Sequence, residues 1–524
     1  MRYIFSILLI IISHQPVFSQ TSERIKIAQN PLEKNVKANY LANTFANYIE
    51  MKVREKENLV YQFDHRDDKY YFTKFDENCN LLNEGNIEFI DINQKETDTR
   101  IREFINIENG FIIYFESHDK KDTCRAYIQK FDLDLKAFGT KIFIEKRRER
   151  YNFMTAGNSW THFNWNAEIS KDDTKIMIYK PLLSYTIFGK NEIMTANFYI
   201  VDLKTEKVDK LIFNDFVIKG FSTVINSTIL NNGTIGIVIA QGNDVKNNRS
   251  LVYRFRMLGK NVDTNFVELP FQEIGLLHPG FLVEGDVLSI YSSYYIKKPD
   301  QDPSTEGDFA GICMTKINLI NRKILLHKEY PAFDVLSSFY DVKKKKLNLE
   351  SNSIRIKKIV IRDDTTTDFF VLPFKNNTQY QTIEDLIYIK INSKNDITIN
   401  KRIDAKSKFD DTKSITSNYN MIFHFKNKNT YIVTFEDMKN RVPQKKFNQL
   451  TDLEDAVLTT ISIDKNGYIK KTYEESIIVR KKFKMNFGKN YILNETSDNL
   501  FFYATSNSTY KFKKLLMSYK IPVD

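Results

Sequence analysis

The stretch YYFTKFDENCNLL, residues 70–82, decides the fold that the sequence predicts. From Tyr71 to Phe75, successive side chains would point to opposite sides of a β-strand. Asp76 then ends the strand, because its short carboxylate can accept hydrogen bonds from the backbone N–H groups of a turn. A second β-rich run follows. The stretch therefore predicts two strands joined by an Asx turn.

The same pattern occurs six more times along the chain. Successive turns lie 54 to 74 residues apart, which is too irregular for a solenoid of identical units. This spacing suits blades that share a four-strand core and differ in loop length. The further copies begin at Ala126, Phe198, Leu251, Ile312, Leu386 and Leu458. The turns begin at Asp76, Asp132, Asp202, Asn318, Asn392 and Asp464, and Arg256 takes this place in the fourth copy.

A second set of turn signals lies upstream of the copies, each between two apolar, alternating runs. Such signals are typical of tight β-hairpins. One unit is then strand, tight turn, strand, variable loop, strand, Asx turn and strand, which is a four-stranded antiparallel blade. The sequence therefore predicts an all-β protein with a β-propeller fold. The upstream signals are residues 108–110, 171–173, 231–233, 284–286, 362–364, 426–428 and 497–499.

The two chain ends determine the predicted number of blades. The first copy lacks a clear upstream hairpin, and the last hairpin lacks a clear downstream copy. If strands from both ends share one blade, the propeller has seven blades and no exposed sheet edge. Eight blades result if residues 36–49 supply strands of their own.

At this level the chain resembles the secreted bacterial β-propeller repeat proteins. Their outer hairpin contains, in this order, a hydrophobic residue, a Lys, a Phe or Ile, and an Asp or Asn. The matching stretches in this chain are KFDENCN, IKINSKND and ISIDKNG. The resemblance covers nearly all of the chain after residue 19. It implies the propeller fold and an exported location, and it brings no activity and no catalytic residues.

The N-terminal residues 1–19 predict a secretory signal peptide, with Arg2 before a short apolar run. A retained membrane anchor is the alternative, although the run is short for a bilayer span. Residues 20–58 form a lead-in, either extended or containing a short helix over 33–50, and residues 59–524 form one propeller domain. We expect an exported monomer in the periplasm, at the cell surface or outside the cell, with no transmembrane segment after signal removal.

Charge and cysteine content narrow the function classes. Without Arg2, the 76 Lys and Arg exceed the 66 Asp and Glu by ten. The basic residues are spread along the chain, and the run 343–346 is typical of a solvated turn, so no nucleic-acid partner is expected. Three cysteines, Cys79, Cys124 and Cys313, allow at most one disulfide and show no metal-binding spacing.

The loops before the third strands are long in four units, at residues 181–196, 297–309, 373–385 and 437–455. They emerge on the same face as the connections between blades, which predicts a binding surface there. Trp160, His162 and Trp165 precede a blade near this face, and the tryptophans could stack on a sugar or anchor a protein partner. Core packing of the two aromatic rings is the alternative.

One of these loops is acidic. Asp300, Asp302, Glu306 and Asp308 could ligate Ca²⁺ through oxygen, although their spacing departs from the EF-hand pattern. A solvated acidic loop is the alternative interpretation. No other cofactor is expected.

The sequence shows no catalytic constellation, since the seven histidines are scattered singly and no pair of carboxylates is marked by its neighbours. We therefore predict a non-enzymatic binding propeller that recognises a protein or a glycan through the long-loop face. The alternative is an extracytoplasmic hydrolase or lyase that acts on polysaccharide or peptide. The residues that line the central channel would discriminate between the two.

Overall fold

The computed structural model shows a β-propeller and confirms the predicted fold class. It describes residues 25–27, 50–66, 69–89, 96–119, 123–148, 166–179, 194–216, 222–242, 251–259, 266–296, 309–341, 343, 346–347, 353–362, 366–376, 380–383, 385–404, 407–410, 421–437, 456–474, 483–485, 491–506 and 514–523.

Eight antiparallel blades follow one another along the chain, and we number them 1 to 8. Blades 1 to 4 consist of Glu50–Arg54, Leu59–Arg66, Lys69–Asp76 and Leu81–Asn86; Glu96–Ile107, Gly110–Asp119, Thr123–Phe131 and Ala137–Arg148; Asn166–Ile169, Lys175–Tyr179, Met194–Asp202 and Val208–Phe216; and Ser222–Ile229, Ile235–Gly242, Leu251–Leu258 and Val267–Glu268. Blades 5 to 7 consist of Ile274–Glu284, Val287–Ile296, Phe309–Asn318 and Ile324–Pro331; Ser353–Ile361, Thr367–Asn376, Leu386–Ile391 and Ile397–Ile403; and Ile422–Lys426, Asn429–Asp437, Ala456–Ile463 and Ile469–Glu474.

Blade 8 closes the ring with strands from both ends of the chain. Asn499–Ser506 pairs on one side with Phe483–Met485 and Tyr491–Asn494, and on the other side with Lys514–Lys520. Ile25–Ile27 pairs with Lys514–Lys520 as the outermost strand. The predicted closure by N-terminal and C-terminal strands is therefore present.

The structure has eight blades, the number that the sequence allowed as the alternative to seven. The additional blade arises because blade 1 has its own upstream hairpin. Glu50–Arg54 pairs with Leu59–Arg66 around a turn at residues 55–58, EKEN, which has no glycine or aspartate to mark it. Both Ile25–Ile27 and Glu50–Arg54 lie within the segment 20–58. The segment 33–50, for which the sequence allowed a short helix or an extended lead-in, falls almost entirely outside the described residues, and Glu50 itself begins a strand.

A few elements lie between or beside the blade strands. A helix, Ala332–Leu336, a 3-10 turn, Ser337–Phe339, and a small hairpin, Tyr340–Asp341 with Lys346–Leu347, join blades 5 and 6. Of the basic run 343–346, Lys343 is described as a turn residue and Lys346 begins the second strand of this hairpin. In blade 6, Tyr380–Ile383 and Ser407–Asp410 extend the sheet within and beside the loop 373–385.

The core consists of eight apolar clusters, one between each pair of neighbouring blades. Each blade is thus covered on both faces. This explains why second strands are continuous apolar runs such as FIIYF, residues 111–115, all of them buried. The three cysteines lie in this core as buried free thiols.

The first strand of each blade lies nearest the axis. First strands of successive blades contact one another around most of the ring, from blade 8 through blades 1 to 6. We call the eight first strands the axial wall. The turns between first and second strands and the Asx turns share one end of the blades, which we call the short-turn face. The opposite end is the long-loop face.

Candidate functional site

The short-turn face is built from the predicted Asx turns. At Asp76, the carboxylate Oδ1 accepts hydrogen bonds from the backbone N–H groups of Asn78 at 2.9 Å and Asn80 at 2.8 Å. Equivalent pairs of bonds form at Asp132, Asp202, Asn318, Asn392 and Asp464. The turn prediction is confirmed at these six positions.

The fourth copy differs because Arg256 has no short side chain to cap a turn. It lies within the strand Leu251–Leu258, and its guanidinium stacks over the rings of Phe213 and Phe266. This cation–π contact joins blade 4 to blade 3.

A lysine two positions before the Asx residue connects neighbouring blades. Its ammonium donates a hydrogen bond to the carbonyl that directly follows the Asx residue of the next blade. The bonds run from Lys74 to Leu133 at 3.3 Å, from Lys130 to Leu203 at 2.9 Å and from Lys390 to Lys465 at 3.0 Å. The lysine of the repeat is therefore explained by cohesion between blades.

Two buried arginines, each at the end of a first strand, also connect neighbouring blades through hydrogen bonds. Arg54 donates to the carbonyl of Gly110, in the hairpin turn of blade 2, at 3.0 Å. Arg362 pairs with Asp368 at 2.7 Å and also donates to the carbonyl of Lys428 in blade 7. The side chain of Arg362 is 4% exposed and that of Asp368 is fully buried.

Blades 7 and 8 are joined by a charged group on the same face. Nε2 of His424 lies 2.9 Å from Oδ1 of Asp498, and Nζ of Lys426 lies 2.5 Å from the same oxygen. Burial alone raises the pKa of Asp498, but the bonds from Lys426 and His424 outweigh it and the pKa is lowered. The charges of the short-turn face thus hold blades together.

The axial wall has a different charge pattern. Of the side chains that the structure describes within the first strands, the exposed charged ones away from the turns are all cations. They are Arg100 in blade 2 and Arg355, Lys357 and Lys358 in blade 6. Because the first strands lie nearest the axis, exposed side chains in the middle of a first strand lie beside the axial channel.

β-Bulges interrupt four of the first strands near their midpoints. The register shifts at Arg102 in blade 2, Ile225 in blade 4, His278 and Pro279 in blade 5, and Lys357 in blade 6. A bulge leaves one residue unpaired and redirects side chains, and bulges are frequent beside functional sites. Two of the extra residues, Arg102 and Lys357, are cationic.

Lys357 combines exposure with an unfavourable environment for its charge. It forms no ion pair with a carboxylate in the described part of the chain. Burial by the surrounding protein lowers its pKa, and the nearby charge of Arg355 lowers it further, although the side chain keeps contact with solvent. Partial burial by protein together with contact with solvent is what we expect of a side chain that lines a water-filled channel.

Carboxylates of the axial wall are engaged with neighbouring blades. Glu103 pairs with Lys52 of blade 1 at 3.0 Å. Glu168 accepts a hydrogen bond from Oγ1 of Thr228 in blade 4 at 3.0 Å. Burial raises the pKa of Glu168, while the bonds from Thr228 and from the backbone of Ile229 oppose the shift.

Arg102 on blade 2 is positioned by a buried carboxylate. Its Nε donates to Oε2 of Glu116 at 2.8 Å, and Glu116 on the neighbouring strand is fully buried. The side chain of Arg102 is 29% exposed, so one side of the guanidinium remains open to solvent. Blades 2 and 6 are four positions apart in a ring of eight and thus face each other across the axis.

The structure does not test the site residues that were predicted from sequence. Trp160, His162 and Trp165 and the acidic residues Asp300, Asp302, Glu306 and Asp308 are all outside the residues that the structure describes. Within the described ranges, no group of three or more His, Cys, Asp or Glu could hold a metal ion. In the same ranges, no helix is long and apolar enough to cross a membrane.

The sequence did contain a signal for the bulges. On the first strand of blade 6, Ile354, Ile356, Ile359 and Ile361 all pack against blade 5, although the middle two are three positions apart. A regular strand would place residues three apart on opposite faces, so this spacing indicates an inserted residue. The inserted residue is Lys357.

No family profile matches the chain, and no similar protein was found among curated proteins. Solved propeller structures are similar to it. The WD40 domain of SCAP from fission yeast shares 10% identity with a TM-score of 0.39, over 95% of this chain and 98% of that chain. The uncharacterized protein lmo1340 from Listeria monocytogenes shares 12% identity with a TM-score of 0.34, over 82% and 97%.

Prolyl oligopeptidase B from Galerina marginata shares 7% identity with a TM-score of 0.39, over 88% of this chain and 56% of that chain. These similarities are ones of fold.

Proposed function

We propose that the protein is an exported, monomeric, non-enzymatic binding propeller that recognises a protein or a glycan through its long-loop face and axial wall. The contrast between these groups of the short-turn face and the middle of the axial wall carries this proposal. On the short-turn face, the charged groups Arg54, Arg362 and Asp498 are bonded to neighbouring blades. On the axial wall, Lys357 and Lys358 are exposed and available to a ligand.

The proposed export of the protein is based on the signal peptide predicted over residues 1–19. We expect the full-length chain, expressed in a bacterium, to be recovered from the periplasm or the medium with Gln20 as its first residue. N-terminal sequencing of the fractionated protein measures this. Recovery of uncleaved chain from the membrane would favour the retained anchor instead.

Binding is tested with the processed protein on a glycan array and in pull-downs from envelope extracts. The proposal expects saturable binding that decreases for Trp160→Ala/Trp165→Ala or for Lys357→Gln/Lys358→Gln, while both variants keep the unfolding midpoint of the wild type. Turnover of a polysaccharide or peptide without a stable complex would instead support the enzyme.

One observation favours the hydrolase or lyase as a second candidate. Burial raises the pKa of Asp404 in blade 6, and the nearby charge of Asp385 raises it further. A carboxyl group with a raised pKa is suited to act as a general acid. Asp385, however, is paired with Arg402, which leaves one carboxyl group of the two for proton transfer. Loss of a measured turnover in Asp404→Asn, with Lys394→Gln as the matched control, would establish this alternative.

A further inference from the structure

The axial wall points to the chemical class of the ligand. We propose that the axial channel binds an acidic polysaccharide through Arg355, Lys357 and Lys358 on blade 6 and Arg102 on blade 2. This inference rests on the proposed binding function and specifies its ligand.

The first argument is charge. The most exposed charged residues described in the middle of the first strands are cations. The carboxylates are bonded to neighbouring blades, Glu103 with its side chain 38% exposed and Glu168 through Thr228. Lys357 and Lys358 are adjacent in sequence on one strand, with Arg355 beside them. Like charges placed this closely repel one another, and a bound polyanion would remove the repulsion.

The second argument is the distance across the ring. First strands converge toward the axis and approach more closely than the roughly 10 Å between packed sheets, so opposite first strands lie roughly 20–25 Å apart. One small anion could reach both Arg102 and Lys357 only with both side chains fully extended. A polymer with repeated acidic groups can contact both walls at different points along its length.

The third argument separates a glycan from a peptide. An extended peptide would bind the free edge of a first strand by continuing its hydrogen-bond ladder. Bulges at Arg102, Ile225, His278 and Lys357 interrupt this edge in four of the eight blades, and bulges discourage such pairing. Recognition by side-chain charge does not need an intact edge and suits the carboxylate or sulfate groups of an acidic sugar chain.

The experiment measures binding of the full-length, processed protein to immobilised polyanions by biolayer interferometry. Polygalacturonate presents carboxylates and dextran sulfate presents sulfates, so the two arms distinguish the sources of negative charge. Neutral dextran and poly-glutamate are the comparison ligands. We expect at least one acidic polysaccharide to bind saturably, neutral dextran not to bind, and poly-glutamate to bind more weakly.

Two variants locate the site. Lys357→Gln/Lys358→Gln removes two channel charges and is expected to weaken binding by about tenfold or more, since hydrogen bonds to charged groups contribute on this scale. Lys394→Gln/Lys465→Gln removes two exposed charges from the short-turn face and serves as the matched control. We expect this control to change binding by less than about twofold, because its charges lie far from the channel.

Three outcomes would overturn the inference. Equal weakening by both double variants would mean diffuse attraction to a basic surface. Equal or tighter binding of poly-glutamate would identify an acidic peptide as the ligand. Binding of neutral glycans or of a protein, with no binding of polyanions, would leave the proposed binding function intact and reject the channel site.

Discussion

The short-turn face and the axial wall are built from the same strands and use charge in opposite ways. Arg362, at the end of a first strand, is buried against Asp368 and the next blade. Arg355, on the same strand, is exposed toward the channel. A buried charge must be paired, whereas an exposed one keeps much of its hydration. Charge therefore provides cohesion at one end of the ring, and along the axis it is exposed, as the proposed recognition of a ligand requires.

The largest change in stability is expected when the two arginines of blade 6 are replaced and compared. We expect Arg362→Met to lower the free energy of unfolding by about 3–5 kcal/mol, because Asp368 is left buried without its partner. Arg355→Met should cost less than about 1 kcal/mol, as is usual for exposed charges. Urea unfolding followed by tryptophan fluorescence measures both. Similar losses in the two variants would remove the distinction between the regions.

A smaller effect is expected at the lysine of the repeat. Lys130→Met removes the bond to the Leu203 carbonyl and the ion pair with Glu206, and should cost about 1–2 kcal/mol. Lys136→Met, at an exposed position of the same turn, should stay within about 0.5 kcal/mol of the wild type. The same denaturant titration compares them. A neutral Lys130→Met would mean that the cross-blade bond adds nothing to cohesion.

The third prediction concerns acid. The hydrogen bond from Lys175, together with those from Thr205, holds the pKa of Asp202 well below its usual range. Because the folded pKa is depressed, Asp202 stabilises the protein above the unfolded pKa of about 3.9, and this is lost as pH falls toward the folded value. Asp202→Asn should therefore show a smaller loss of unfolding midpoint between pH 5 and pH 2.5 than the wild type.

Asparagine is a fair replacement there, because Asn318 and Asn392 form the same turn in blades 5 and 6. If acid lowers the midpoints of Asp202→Asn and the wild type equally, the carboxylate of Asp202 has no share in acid unfolding.

The smallest expected effect on stability is at the axial wall. Lys357→Gln/Lys358→Gln should change the free energy of unfolding by no more than about 0.5 kcal/mol, because neither ammonium is paired within the described chain. A slight gain is consistent with relief of repulsion from Arg355. A loss above 2 kcal/mol in thermal and urea unfolding would show that these lysines are structural.

The sequence predicted those parts of the fold that depend on local chemistry. The Asx turns were recognisable because Asp132 or Asn392 caps its own backbone. The hairpin at residues 55–58 was missed because its one turn residue, Asn58, with a φ of 53°, is a weak signal among charged residues. The role of Arg54 is visible only against blade 2. The cationic axial wall was missed because Arg102 and Lys357 are more than 250 residues apart and meet only around the axis. Their bulges were nevertheless encoded in the spacing of apolar residues.

Closure of the ring has a consequence for the order in which the protein is made. Among the described strands, Ile25–Ile27 is the first along the chain, and its partner Lys514–Lys520 is the last. Ile25–Ile27 therefore lacks this partner until nearly 500 further residues have been synthesised. Contacts between residues so distant in sequence form slowly. A newly made molecule is therefore expected to pass through a stage in which the ring is not yet closed by the pairing of these two strands. During this stage the unpaired strand edges of the sheet can pair with other chains, so they are the part of the molecule that most needs a chaperone.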